Sequence, residues 1–141
     1  MKCRDPQGST EISGENPIIA GLPPRHAAGA VATMAAARDA GLPQPAGAVV
    51  LSPWVDLTLG GQSMRTKEGI DPIFTREAVQ AFATRYLAGQ DSADPLASPV
   101  FADLRGLPPL LVQAGSNELP LDDAVRPAGR AGPRGTATRR A

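Results

Sequence analysis

The sequence is poor in cysteine, histidine and net charge, and each shortage excludes a class of protein. Cys3 is the only cysteine among the 141 residues, so no internal disulfide can form and a disulfide-stapled secreted scaffold is excluded. One cysteine and one histidine cannot supply a zinc site of ordinary ligand spacing, and we expect neither a metal nor another cofactor. Fourteen basic residues balance fourteen acidic ones, which leaves no surplus of cations for phosphate groups. We therefore expect no nucleic-acid partner.

Long hydrophobic runs and aromatic residues are also scarce. The longest apolar run covers residues 27–37, far short of the roughly 20 residues that cross a bilayer, and no apolar region follows Met1 as it would in a signal peptide. We therefore predict a cytoplasmic protein without membrane attachment. Aromatic residues make up 4% of the chain and 24 residues are alanine, so the core must be modest in size.

Short apolar runs predict the strands of an open sheet. The runs occupy residues 17–21, 48–51 and 110–114. An alanine-rich helix, predicted over residues 26–40, separates the first two, and it is apolar nearly all round, so we expect it to be buried. Strand, helix and strand in this order imply parallel neighbours with a right-handed crossover. The predicted fold class is α/β, with a mostly parallel sheet of about three strands and flanking helices.

Two further helices are predicted downstream. Thr75 is suited to cap the first of them, because apolar residues recur after it at intervals of three and four as far as Leu87. The last helix should begin near Leu121 but hardly run two turns, since Pro127 lies six residues in.

The two ends of the chain differ in composition from its middle. Residues 1–16 are polar without any period, which predicts a disordered lead-in. Residues 131–141 carry arginine without any acid, which predicts a disordered tail in contact with solvent. The domain therefore spans residues 17–130.

Four motifs lie in fixed order along this domain, two of them where predicted strands end and where the ligands of an open parallel sheet gather. The motifs are Leu51-Ser52-Pro53-Trp54-Val55-Asp56-Leu57-Thr58, Asp94-Pro95-Leu96-Ala97-Ser98-Pro99, Leu107-Pro108-Pro109-Leu110-Leu111-Val112-Gln113-Ala114-Gly115-Ser116-Asn117-Glu118 and Leu121-Asp122-Asp123-Ala124. Together they resemble the α/β-hydrolase family, in the subgroup similar to hormone-sensitive lipase that includes bacterial esterases and acetyl hydrolases.

The resemblance implies a partial α/β-hydrolase fold and hydrolysis of small-molecule carboxylic esters by a Ser, Asp/Glu and His triad, without a cofactor. Glu118 falls where this family places the acid of the triad and is the predicted catalytic residue. The residues alone also allow a plainer interpretation, in which Glu118 is an exposed loop carboxylate or the dipole partner of the following helix. In the family the segment from residue 56 to residue 89 borders the acyl pocket, which suggests a pocket role for Trp54.

The other two members of the triad have no counterpart in the sequence. The family's nucleophile elbow, Gly-x-Ser-x-Gly, should follow the first strand, where this chain has Gly21-Leu22-Pro23-Pro24. His26, the only histidine, lies at the wrong end of the topology. We therefore expect this chain to be inactive as a truncated or frame-disturbed member of the family. Codons exist for Gly21-Leu22-Pro23 whose shifted frame reads Asp-Ser, the centre of the family's elbow.

Two alternatives remain open. The chain can be a non-catalytic remnant that binds a small apolar ligand or a partner, and half a sheet offers two open edges for self-association. It can also be an esterase of unusual design that combines Glu118 with Ser116 and His26.

Overall fold

A computed structural model of the chain describes residues 18–21, 24–130 and 136–140, with side chains described for residues 28–127. Strands and α-helices alternate along much of this chain. The elements are β1 (Ile18–Gly21), α1 (Pro24–Asp39), β2 (Gly47–Leu51), α2 (Ser63–Thr66), α3 (Arg76–Leu87), β3 (Leu110–Ala114), α4 (Leu121–Arg130) and β4 (Thr136–Arg140). A single 3-10 turn at Pro99–Phe101 precedes β3.

The described strands form one parallel sheet in the order β1-β2-β3-β4. This confirms the α/β class, but the sheet has four strands in the described ranges where about three were predicted. The additional strand, Thr136–Arg140, lies in the stretch predicted to be a disordered tail, and that prediction was wrong for these residues. The prediction rested on composition alone. A strand at the edge of the described sheet needs only backbone pairing with its neighbour, and the two β-branched threonines favour extended backbone.

Most of the residues predicted to flank the domain lie outside the described ranges. The predicted lead-in, residues 1–16, and the first part of the predicted tail, residues 131–135, lie outside the described residues. The domain span of residues 17–130 stays a prediction, and so does self-association through the sheet edges. None of the helices in the described ranges is long and apolar enough to cross a membrane. The cytoplasmic location inferred from the sequence also stays a prediction.

Helix α1 begins earlier than predicted, at Pro24. Proline is well tolerated at the first helical position, because its missing N–H group would have no partner there. The helix is buried along one side only, where Val31 and Met34 pack against the sheet, while Thr33 and Ala36 are exposed. The prediction of burial all round was therefore wrong, because alanine is apolar enough for a core and small enough for a surface.

The main core lies on one face of the sheet. Alternate residues of the two central strands pack there against α1 and α4: Ala48, Val50, Leu110, Val112 and Ala114. Their neighbours in the sequence point to the opposite face, where Leu51 is 37% exposed and Leu111 is 45% exposed. Helices therefore cover one face of this sheet, within the described residues.

Helix α4 extends over Leu121–Arg130, which corrects the expectation that it would hardly run two turns. Pro127 lies inside it and is buried. A proline removes one backbone hydrogen bond, and here the helix is anchored elsewhere, because Ala124 is fully buried in the core and the amide groups of Asp123 and Ala124 donate to the Pro120 carbonyl. Tertiary packing outweighs the local cost of the proline.

The long segment between β2 and β3 carries α3, which confirms the helix predicted after Thr75. The Thr75 side chain accepts a hydrogen bond from the Ala78 amide and caps the N-terminus. Ala88, in the left-handed conformation with φ of 49°, ends the helix. Val79, Ala83 and Leu87 form its buried face.

Candidate functional site

Glu118 lies at the carboxyl end of the two central strands. β3 ends at Ala114, and the short turn that follows brings the Glu118 carboxylate back over the strand end. Its Oε1 atom accepts two hydrogen bonds, from the Ser52 hydroxyl at 2.7 Å and from the Gly115 amide at 2.8 Å. Ser52 directly follows β2, so two neighbouring strands contribute to holding one carboxylate oxygen.

Gly115 is small because the carboxylate lies against it. A Cβ atom added at this position would lie 2.8 Å from Glu118 Oε1 and 3.2 Å from Glu118 Cγ. The 2.8 Å contact is shorter than real Cβ atoms make, so a side chain at residue 115 would force the Glu118 carboxylate to shift. The turn is thus shaped around the Glu118 side chain.

The second carboxylate oxygen of Glu118 is in a different situation. Oε2 is buried and has no hydrogen-bond partner among the described residues. A buried carboxylate oxygen without a partner is costly, since it has lost water without gaining a donor. Glu118 as a whole is half-buried, which does not fit the plainer interpretation of an exposed loop carboxylate.

Sequence reasoning missed Ser52. It was noted as part of a strand end, but its hydroxyl was given no role. In the structure its backbone has a positive φ of 46°, an uncommon conformation for a residue with a side chain, and its amide continues the sheet by donating to the Gln113 carbonyl at 2.7 Å. The signal that could have found it was the position of a hydroxyl at the end of the strand beside β3.

Other carboxylates tie the turn that carries Glu118 to the long segment after β2. Asp71 accepts a hydrogen bond from the amide of Leu119, the residue next to Glu118, at 2.8 Å. Partial burial opposes the charged form of Asp71, but the amide donors of Leu119, Phe74 and Ile73 outweigh it and lower the pKa of Asp71. Asp71 is also a turn residue, because its Oδ1 atom accepts hydrogen bonds from the amides of Ile73 at 2.8 Å and Phe74 at 2.9 Å.

Asp123 forms the most deeply buried of these ties. Its Oδ2 atom accepts hydrogen bonds from the amides of Val55 at 2.9 Å and Asp56 at 2.8 Å, while Oδ1 has no partner among the described residues. Burial raises the pKa of Asp123 to about 7, the negative charge of Asp56 adds to that rise, and the two amide donors and Arg126 oppose it. Arg126 pairs with the buried carboxylate of Asp56.

An apolar cavity of about 310 Å³ opens beside this region. Its lining is mostly hydrophobic, with one cation, and consists of Ala28, Trp54, Leu57, Phe82, Arg85, Tyr86 and Ala97. The Trp54 indole is held in place, because its Nε1 donates to the Asp56 carbonyl at 3.1 Å. Phe82 and Tyr86 are exposed residues of α3, 49% and 63% accessible, so part of the lining faces solvent.

The remaining candidates do not join Glu118 in the described part of the chain. β1 ends at Gly21 and α1 begins at Pro24, and the two residues between them, where the elbow would sit, lie outside the described residues. The His26 side chain also lies outside them. Ser116 is exposed in the turn, and the hydroxyl bonded to Glu118 is that of Ser52 instead. The described residues include no cluster of three potential metal ligands.

Comparisons with known proteins agree with the resemblance. This chain belongs to a family with the alpha/beta hydrolase fold, whose model matches residues 27–139. It is 45% identical over 119 residues to an acetyl-hydrolase from Streptomyces hygroscopicus, covering 84% of this chain and 37% of that protein. It is 46% identical over 83 residues to an esterase from Acinetobacter venetianus, covering 58% of this chain and 27% of that protein.

Solved structures give the same result. The crystal structure of EstE5 soaked by ethyl alcohol superposes with a TM-score of 0.80 at 38% identity, covering 88% of this chain and 42% of that one. A hormone-sensitive lipase from a metagenome library superposes with a TM-score of 0.80 at 40% identity, covering 88% and 41%. The chain thus spans about two fifths or less of the length of these relatives.

Proposed function

We propose that this chain is the part of a carboxylic ester hydrolase that contains the acid of its Ser, Glu and His triad, and that Glu118 is this acid. The observation that carries the proposal is the asymmetry of the Glu118 carboxylate. Oε1 is held by Ser52 and Gly115, whereas Oε2 is buried and has no partner among the described residues. The names of the relatives, an acetyl-hydrolase and esterases, support small ester substrates.

The chemistry assigns a definite task to that oxygen. In ester hydrolysis by such a triad, a serine hydroxyl attacks the ester carbonyl while a histidine takes its proton. The acid accepts the N–H group on the far side of the imidazole, fixes its tautomer and stabilises the imidazolium that forms. Oε2 of Glu118 has the free lone pairs for this bond, and the fixed Oε1 keeps it in one orientation.

We also propose that the chain as printed does not hydrolyse esters itself. The position for the nucleophile, after β1, holds Leu22, Pro23 and Pro24, none of which carries a hydroxyl or thiol. Proline also fixes φ near −65°, which is incompatible with the strained turn that exposes a nucleophilic serine.

A pair of proteins tests this proposal. The first is the 141-residue chain, and the second is a chimera in which residues 44–130 of this chain replace the matching segment of the Streptomyces hygroscopicus acetyl-hydrolase. With p-nitrophenyl acetate, we expect hydrolysis by the chimera and only the buffer rate with the chain. Hydrolysis by the chain that is lost in Ser116→Ala or His26→Ala would contradict the proposal and favour the unusual design. A folded chimera without activity would contradict the role proposed for this segment.

The apolar cavity favours a second candidate function, a non-catalytic module that binds a small apolar ligand. Trp54, Leu57, Phe82 and Tyr86 supply a mostly hydrophobic lining, and about 310 Å³ accommodates a ligand of a few carbon atoms. In an ester hydrolase the same cavity would receive part of the substrate, so binding alone does not separate the two candidates.

Trp54 is the only tryptophan, which makes its fluorescence a direct reporter of this cavity. Titration of the chain with butyl acetate should change the Trp54 emission in a saturable way. Phe82→Ala and Tyr86→Ala should each weaken binding by about 3- to 10-fold, the size expected for one aromatic contact. Ile73→Ala is the matched control, because Ile73 is 76% exposed and does not line the cavity. Equal weakening by all three substitutions, or a linear response, would contradict a binding site here.

A further inference from the structure

Ser52 combines three features that an ordinary strand-end serine does not need. Its hydroxyl donates to Glu118 Oε1 at 2.7 Å, its amide is fixed to β3 through the Gln113 carbonyl at 2.7 Å, and its backbone has a positive φ of 46°. A positive φ is unfavourable for a residue with a Cβ atom, so the surrounding structure must hold it there. Glycine would adopt this positive φ at lower cost, but it would lack the hydroxyl that binds Glu118.

The Ser52 hydroxyl binds the Glu118 side chain, which is the more flexible of the two side chains. A glutamate side chain has three rotatable bonds and loses considerable freedom when it is fixed. A single donor, the Gly115 amide, leaves the carboxylate free to rotate about that bond. Two donors on the same oxygen, from directions set by two neighbouring strands, fix both the position of Oε1 and the direction in which Oε2 points.

We propose that Ser52 is a positioning residue, whose hydroxyl orients the Glu118 carboxylate so that Oε2 alone faces the partner of the acid. This inference rests on the proposed role of Glu118. In this role Ser52 contacts the acid and not the reacting atoms. It acts through Glu118, and its loss should change the rate of the chemical step without changing the binding of substrate.

Two substitutions distinguish the effect of the Ser52 hydroxyl from the effect of its backbone conformation. Ser52→Ala removes the hydroxyl and keeps the unfavourable positive φ, whereas Ser52→Gly removes the hydroxyl and relieves it. If the serine matters only for stability, the two variants should differ from each other, and Ser52→Gly should behave like the original protein. If the hydroxyl positions Glu118, both variants should be equally impaired although their melting temperatures differ.

In the chimera we expect both variants to lower kcat for p-nitrophenyl acetate by about 10- to 100-fold with KM unchanged, the effect of losing one hydrogen bond to a charged group. Ser98→Ala is the matched control. The Ser98 hydroxyl is also buried and also hydrogen-bonded, to the Ser92 carbonyl and the Leu57 amide, but it is remote from Glu118 in the hydrogen-bond network. We expect Ser98→Ala to lower the melting temperature and leave kcat unchanged.

The 141-residue chain gives a second measurement that needs no activity. Glu118 Cγ lies against Gly115, so the nuclear Overhauser effect between the Gly115 α-protons and the Glu118 γ-protons should be strong. Ser52→Ala and Ser52→Gly should weaken it and shift the Gly115 amide resonance.

Unchanged Gly115 and Glu118 signals in both variants, or a kcat in Ser52→Gly equal to that of the parent chimera, would overturn the proposal. If the parent chimera itself is inactive, the proposed function fails, while the resonance measurement still decides whether Ser52 holds the carboxylate.

Discussion

Glu118→Gln should lower kcat of the chimera by roughly 10,000-fold, the loss found when the acid of a serine-hydrolase triad becomes an amide. The amide keeps the size of the side chain and an oxygen that can accept from Ser52 and Gly115. It removes the negative charge that stabilises an imidazolium, and it places an NH2 group where the histidine N–H group needs an acceptor. The measurement is the steady-state hydrolysis of p-nitrophenyl acetate, with the melting temperature recorded in parallel.

The control for this variant is Glu77→Gln. Glu77 is exposed in the first turn of α3, so its substitution should leave kcat within about twofold. A kcat of Glu118→Gln within tenfold of the parent chimera would remove Glu118 from the triad. It would then favour the plainer interpretation, in which this carboxylate only shapes the turn.

The stability of the chain should fall as the pH rises from about 4 to 7, and Asp123→Asn should abolish most of that fall. In the folded state burial raises the pKa of Asp123 to about 7, whereas an unfolded aspartate titrates near 3.9. Between these values the folded state retains a proton that the unfolded state has released. The stabilising contribution is therefore complete below pH 4 and is lost as the pH rises through 7.

The size of the effect follows from the difference between the two pKa values. About three units correspond to about 4 kcal/mol of unfolding free energy across the window. Asparagine mimics the protonated aspartate, because its carbonyl can accept from the Val55 and Asp56 amides that now bind Oδ2. We expect Asp123→Asn to resemble the original chain near pH 4 and to be more stable above pH 7.

Urea unfolding at a series of pH values measures this dependence, and Asp122→Asn is the matched control. Asp122 is adjacent in the sequence and is only half-buried, and its Oδ2 accepts from the Ser63 amide. Its substitution should leave the fall between pH 4 and 7 in place. A stability that rises with pH over this window in the original chain, or a fall that persists in Asp123→Asn, would show that Asp123 is not buried as described.

The local elements of the fold could be predicted from the sequence because their signals are local. Helix α3 has a capping threonine and apolar residues at regular spacing, and both signals act within a few residues. The first three strands are short apolar runs bounded by turn residues, and the parallel pairing of β1 with β2 follows from the helix that separates them.

The errors came from residues whose structure depends on distant contacts. Composition suggested disorder for Thr136–Arg140, but these residues pair with β3. Pro127 should stop a helix by its own chemistry, but packing around Ala124 holds α4 through it. In both cases tertiary contacts outweigh a local preference, and a single sequence does not display those contacts.

In the candidate site, too, the sequence indicates the residue that lies in a local motif and misses those that act through distant contacts. Glu118 could be proposed as the acid from the sequence because its family motif is continuous in sequence with β3. Ser52, Asp71 and Asp123 could not be assigned to it, because each acts on a partner far along the chain. A hydroxyl and two carboxylates with no spacing rule between them give no pattern to recognise, although each one is a strong hydrogen-bonding group.

The sequence distance across these contacts also determines when the site can form during folding. Four hydrogen bonds join residues far apart in the sequence: Ser52 donates to Glu118, Val55 to Asp123, Ser63 to Asp122 and Leu119 to Asp71, across 66, 68, 59 and 48 positions. Closing loops of this length costs chain entropy before any of the bonds is gained. Helices α1 and α3 need no such closure and can form first. The Glu118 carboxylate can be oriented only when the end of β2 and the turn after β3 have come together, because its hydrogen bonds come from both.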